Sequence, residues 1–372
     1  MPQELTLCAL DVALGWRDPA AGLVHHSDRG SQYAAKDYRK KLEARGITVS
    51  MSRKGDCWDN APMESVNSTL KVECIHDEHF DTREQAARAI VEYIGYYNTE
   101  RRHSLLGYPQ THACWHHIAP ELARDYAVIC PDLRGYGDSS KPPGRPDHSN
   151  YSKRAMAQDM IELMTSLGFE RFHLVGHDRG GRVAHRMAAD HPQHVHTAAV
   201  LDISPTLKMF ERTDMAFARA YYHWFLMLQP SPLPELMLAG KVPFNILGRV
   251  GREEPDLSQF SEQAVSEYVR CFADPAAIHA SCEDYRAAGT IDLEHERSDR
   301  AAGRRLKMPL LALWGQTGVI ASLFDCLADW REVADKVVGK ALPCGHFIPE
   351  EAPQEALAEI AAFLRQHPLE SK

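Results

Sequence analysis

The sequence predicts an α/β protein in two parts: a parallel sheet with a helical cap, preceded by a shorter, partial α/β segment. Three observations predict it. From residue 126 onward, apolar strand-like runs alternate with helical stretches, the pattern of a parallel sheet with crossover helices. Gly176-His177-Asp178-Arg179-Gly180-Gly181 stands between one such run and a helix. Around residues 101–112 the character of the chain changes, which sets an expected division into residues 1–106 and 107–372.

In the first part, residues 4–16 read as a helix and 22–28 as a short buried strand ending in Asp28. Residues 33–46 have helical spacing with a glycine stop, and 47–52 are a β-branched strand. Residues 60–73 and 82–98 read as two further helices. In the second part, 126–132 is a strand, 152–167 a helix, 172–176 a strand, 179–191 a helix and 196–204 a strand. Residues 205–300 are helical and rich in aromatics and proline, which breaks the alternation and predicts a cap. Strands at 308–315 and 336–345 and a helix at 355–366 close the fold.

Composition bounds the function. The 372 residues suffice for two domains, and the net charge is −9. Residues 1–107 hold 14 basic and 16 acidic side chains, so neither part is the basic patch that a nucleic-acid binder needs. No apolar run is long enough to span a bilayer, and no leader pattern opens the chain. The nine cysteines are scattered without metal-ligand spacing, so a cytoplasmic protein with reduced thiols is expected. The pairs His25-His26 and His116-His117 are expected to point apart and to bind no metal.

The glycine-flanked turn carries the chemistry. Such a turn between strand and helix holds its central residue strained and exposed at the top of a sheet. Here that residue is Asp178. A serine attacking an alkyl carbon would leave an inert ether, whereas a carboxylate leaves an ester that water can hydrolyse. Asp178 therefore points to displacement at saturated carbon, by dehalogenation or epoxide opening. The base for that water is expected at His346, in the loop after the last strand. An acid must orient the histidine. After the strand 308–315 come Gln316, Thr317 and Gly318, with no acid, whereas Asp202 follows the strand at 196. The expected triad is Asp178–His346–Asp202. Arg179 and Arg182 share a helical face and suit a carboxylate clamp. His223, Trp224 and Tyr285 offer N–H and O–H donors for a leaving halide.

The segments PQTHACWHHIAPELA, CPDLRGYGDSSKP, FERFHLVGHDRGGR, LDISP, YYHWF, SCEDYRAAGTIDLEH and the closing GHF resemble the fluoroacetate and haloacetate dehalogenases, from about Gly107 to Pro368. The resemblance implies an α/β-hydrolase fold with Asp178 as nucleophile, His346 as base and Asp202 as triad acid. It places the carboxylate clamp on Arg179 and Arg182 and the halide donors on His223, Trp224 and Tyr285. The implied reaction converts a 2-haloacetate and water to glycolate and halide without a cofactor. Against the family pattern the fold is truncated: about thirty initial residues and the histidine before Gly107 are missing, which predicts exposed sheet edges and a marginal fold.

The segments HSDRGSQY, WDNAPMESVNSTLK and YNTERRHSLLGYPQT resemble the integrase core of insertion-sequence transposases. That resemblance implies a partial RNase H-like fragment with Asp28 and Glu64, which have 35 residues between them, as the second and third Mg²⁺-binding acids. The first acid is missing; Asp11 lies too near Asp28, on an expected helix, and reads as a surface acid. Mg²⁺ would matter only to an active fragment, and no DNA integration is expected. LLGYPQT fits both the end of one family and the start of the other. The partners expected are a small haloacid, with DNA as a vestige, no membrane, and a homodimer left open. The alternatives are a transposase fragment, an epoxide hydrolase and a fusion without function.

Overall fold

The computed structural model describes residues 10, 24–27, 35–51, 101–105, 108–240 and 259–369, with backbone alone for the strands at 24–27 and 101–105. The chain forms two compact units, Met1–Tyr93 and Ile94–Lys372. The division expected at 106/107 falls inside the second unit.

In the first unit, β1 (Val24–Ser27) and β2 (Thr48–Met51) pair in parallel, joined through α1 (Lys36–Ala44). Tyr38, Leu42 and Ile47 bury a small core with Leu10. Gly46, at φ 69°, ends the helix, as its spacing predicts. Asp11, Asp28, Glu64 and the helices expected at 60–73 and 82–98 lie outside the described residues.

The second unit is a six-stranded parallel sheet. Its strands are β3 (Arg101–Leu105), β4 (Val128–Ile129), β5 (Phe172–His177), β6 (Val195–Leu201), β7 (Leu306–Gly315) and β8 (Ala334–Leu342), in the order β4-β3-β5-β6-β7-β8. β3 reads as polar, Arg-Arg-His-Ser-Leu, and precedes the expected division, yet it pairs with both β4 and β5. The strand expected at 126–132 is reduced to Val128–Ile129. β5 and β6 are buried along nearly their whole length, as a sheet covered on both faces requires. Each fully buried aliphatic side chain there contributes roughly 1.5–3 kcal/mol.

Two crossover helices, α2 (Lys153–Ser166) and α3 (Arg179–Asp190), flank β5. Ser152 caps α2 by accepting from the Ala155 N–H at 3.1 Å. Between β6 and β7 lie α4 (Thr206–Glu211), α5 (Met215–Ala220), α6 (Tyr222–Met227), α7 (Leu233–Leu238), α8 (Glu262–Phe272), α9 (Pro275–Gly289) and α10 (Ile291–Ala301), in the region expected as a cap. Among the described residues no helix is long and apolar enough to cross a membrane. One small expectation is corrected. The His116 and His117 rings lie 3.8 Å apart rather than diverging, because His116 Nδ1 bonds the Ala113 carbonyl at 2.8 Å.

Candidate active site

β5 ends in the tight turn that the glycines allow. A Cβ on Gly176 would lie 2.6 Å from the Gly180 carbonyl oxygen, so the helix could not start so close to the strand with any other residue there. Asp178 then sits at φ 45°, ψ −115°. A non-glycine residue in that region costs about 1–3 kcal/mol and persists only where its surroundings impose it. The Asp178 N–H donates to the Leu201 carbonyl at 3.2 Å, tying the turn to β6. The Tyr108 N–H, from the loop after β3, donates to Asp178 Oδ2 at 2.9 Å.

Asp202 follows β6 directly and is also left-handed, at φ 50°. Its carboxylate is fully engaged. Oδ1 accepts the Gly315 N–H at 2.9 Å, and Oδ2 accepts His346 Nδ1–H at 2.5 Å. That bond fixes the histidine's orientation and leaves Nε2 for proton transfer. The His346 loop is held at its ends: Glu351 accepts from the Gly345 N–H and, at 3.1 Å, from the Phe347 N–H. His177 Nε2 bonds the His346 carbonyl at 2.7 Å.

The electrostatics match these contacts. Burial alone would raise Asp178, but His346 and Arg182, then His177 and Arg179, outweigh it and hold the carboxyl below its ordinary value. Burial alone would lower His346, but the Asp202 hydrogen bond and charge, then Asp178 and Glu351, raise it above the usual histidine value. Burial and the neighbouring His346 push His177 down to about 4, so it is a neutral donor.

Arg179 and Arg182 open α3 but part company. Arg179 donates from Nε to Asp284 Oδ2 at 2.6 Å and from Nη2 to the Asp284 carbonyl at 2.9 Å. Arg182 donates from Nη1 to Thr206 Oγ1 at 3.0 Å and lies 4.8 Å over the Trp224 ring. Each keeps one buried nitrogen without a hydrogen-bond partner: Nη1 of Arg179 and Nε of Arg182. Two such donors are the equipment for an anionic guest.

His223 and Trp224, on α6, meet Tyr285, on α9, with ring centroids 5.8 and 6.1 Å from it. All three are buried. Sequence reasoning missed four contributors. The Tyr108 N–H is backbone and leaves no mark in composition. Asp284 and Lys153 act through a buried contact between distant segments. Tyr221, two residues before His223, is raised by burial and by the charges of Asp202 and Asp178, which puts it beside the site. A separate cleft of about 630 Å³, lined by His185, Lys208, Glu296 and Arg305 among others, lacks this constellation.

Comparison with known proteins identifies the fold and the N-terminal segment. The alpha/beta hydrolase fold model matches residues 104–353, and two integrase core domain models match 1–57 and 45–109, so both kinds of match share residues 104–109. A fluoroacetate dehalogenase of Burkholderia sp is 48% identical over 70% of this chain and 85% of its own. A soluble epoxide hydrolase of Corynebacterium sp. is 34% identical over 70% of this chain and 88% of its own. A crystal structure from Nostoc sp PCC 7120 superimposes with a TM-score of 0.69 at 54% identity, covering 70% of this chain and 90% of that one. A transposase of insertion sequence element IS904 from Lactococcus lactis is 50% identical over 26% of this chain, which spans 38% of that relative's length. With an integrase core segment at its N-terminal end, the chain belongs to the α/β-hydrolase fold family.

Proposed function

We propose that the second unit hydrolyses short 2-haloacids, converting a haloacetate and water to glycolate, halide and a proton. The observation that carries this reading is a strained, ionised Asp178 beside a hydrogen-bonded His346–Asp202 pair and two buried arginines with spare donors. Asp178 Oδ1 attacks the α-carbon, the carbon–halogen bond breaks, and the halide leaves with the electron pair toward His223, Trp224 and Tyr285. Oδ2, already bound by the Tyr108 N–H, becomes the ester carbonyl oxygen. His346 then takes a proton from water, and the hydroxide adds to the ester carbonyl carbon. The Tyr108 N–H donates to the oxyanion that forms. Collapse expels the glycolate oxygen, which recovers the proton from His346, and the Asp178 carboxyl so formed releases its proton to solvent and returns as a carboxylate. No cofactor takes part in this scheme.

Arg179 and Arg182 hold the substrate carboxylate through Nη1 and Nε. Without that compensation an anionic substrate would be repelled by the anionic nucleophile.

The test is halide release from fluoro-, chloro- and bromoacetate, with intact-mass measurement of His346→Gln during turnover. The expected result is release by the unaltered chain and an added carboxymethyl mass on Asp178 in the variant. Folded protein that releases no halide and gains no mass would end the reading. Epoxide opening is the second reading, favoured by Tyr221 near Tyr285 and by the epoxide hydrolase relative. A neutral epoxide has no use for two buried guanidinium donors. Turnover of styrene oxide in preference to chloroacetate would reverse the order.

A further inference from the structure

We infer that Asp284, backed by Lys153, is a positioning residue that keeps the Arg179 guanidinium off the nucleophile and leaves it charged for the substrate carboxylate. This rests on the haloacid reading above. Arg179 and Asp178 are neighbours in sequence, and both are buried. A buried guanidinium attracts the nearest carboxylate strongly, because little water screens the pair. A direct Arg179–Asp178 pair would occupy both groups and quench the attacking oxygen. Among the described residues Asp178 makes no ion pair within 4 Å with either arginine; Arg179 instead pairs with Asp284, side chains fully buried on both sides.

The Asp284 site is built for this. Its Oδ2 accepts from Arg179 Nε at 2.6 Å and from the Tyr136 hydroxyl at 2.7 Å, and its Oδ1 accepts from the Lys153 ammonium. Its backbone carbonyl takes Arg179 Nη2 at 2.9 Å. The Tyr285 ring closes one face of the guanidinium at 4.1 Å. These contacts fix the plane of Arg179 and leave Nη1 as the unengaged nitrogen.

Charge decides why a second cation is present. Asp284 alone would neutralise Arg179. Lys153 offsets Asp284, and Asp292, with Oδ2 3.9 Å from the ammonium, offsets Lys153 in turn, so the four charges sum to zero. Burial would raise Asp284, but Arg179 and Lys153 overcome it and hold the carboxyl ionised. What the cluster offers the substrate is therefore the fixed, unengaged Nη1 of a charged guanidinium, without lending that cation to Asp178.

The experiment compares Asp284→Asn, Lys153→Met and the double variant Asp284→Asn/Arg179→Met with the unaltered chain. Each is checked for a native melting transition, then assayed for turnover of chloroacetate and of neutral chloroacetamide and for glycolate binding by calorimetry. Asp284→Asn is expected to lower kcat for both substrates about a hundredfold. Adding Arg179→Met is expected to recover at least tenfold on chloroacetamide but not on chloroacetate, because the intruding cation is gone. Lys153→Met is expected to weaken chloroacetate about tenfold, with the larger share in KM. A fall in Asp284→Asn without recovery in the double variant overturns the inference, as does an unchanged Asp284→Asn. If the unaltered chain turns over nothing, the haloacid reading fails by itself. Glycolate binding that drops tenfold in Asp284→Asn would still support the positioning role, and equal binding would overturn it.

Discussion

The two sides of the large sheet are unequal. On one side, β7 and β8 pair in register from Pro309–Lys336 through Gly315–Leu342, and β6 joins them without interruption from Ala198–Leu310 to Leu201–Leu313. On the other, β3 meets β5 at Ser104–Val175 and Leu105–Gly176, and its pairing with β4 shifts between Arg101 and His103. The site straddles this difference. Asp202 and the His346 loop stand on the well-registered side, whereas the Tyr108 N–H that holds Asp178 hangs from the short one. On the proposed reading, proton transfer is thus anchored to the firm half of the sheet, and alignment of the nucleophile depends on the slighter half.

That contrast can be broken at several points. Asp178→Asn, at the seam, is expected to reduce halide release about ten-thousandfold or more, because no neighbouring group replaces the nucleophile. Asp202→Asn is expected to cost about a hundred- to ten-thousandfold by releasing the histidine's orientation, measured as kcat with the melting temperature followed in parallel. Leu313→Ala, fully buried in β7, is expected to cost roughly 2–5 kcal/mol in denaturant unfolding. Ser104→Pro removes one donor from β3 and is expected to cost less, about 1–3 kcal/mol. Its catalytic loss, about tenfold, should exceed that of Leu313→Ala among molecules that remain folded. Equal catalytic losses would contradict the division of labour between the halves.

The smallest effect is a pH shift. His346 must be neutral to accept a proton, and Asp202 and Asp178 hold it above the ordinary histidine value in the free site, so its midpoint in an NMR titration of the free protein should lie above that of an exposed histidine. Once Asp178 is esterified its negative charge disappears, and one of the influences that raise His346 goes with it. The midpoint for ester breakdown in a single-turnover experiment should therefore lie lower than that of the free-site titration. A higher midpoint would mean that Asp178 does not act on His346 as described.

Much of this was legible in the sequence, and the exceptions have physical reasons. The alternation located β5, β6 and β7, and the helical region at 205–300 contains the helices from Thr206 to Ala301. These elements are buried on two faces or strongly patterned, so their composition announces them. β3 was not legible as a strand, since Arg-Arg-His-Ser-Leu lacks the β-branched signature; its strand form comes from pairing on both edges. The turn around Asp178 was legible because its glycines answer a close backbone approach. The structure brings Asp202 and His346 together as the loop reading anticipated. Asp284 could not be weighed from sequence, because its contact with Arg179 spans 105 residues and exists only once α9 meets the first residue of α3. Asp28 and Glu64 lie outside the described residues.

Residues 104–109 fit two families at once, and Tyr108 lies three residues past the end of β3. This gives the stretch a constraint of length. Adding or deleting a single codon between Leu105 and Tyr108 would leave every acid, base and arginine intact. It would nonetheless change the length of chain that delivers the Tyr108 amide to Asp178. A change of length that an integrase-like segment alone could absorb thereby bears, in this chain, on how the Asp178 carboxylate is held.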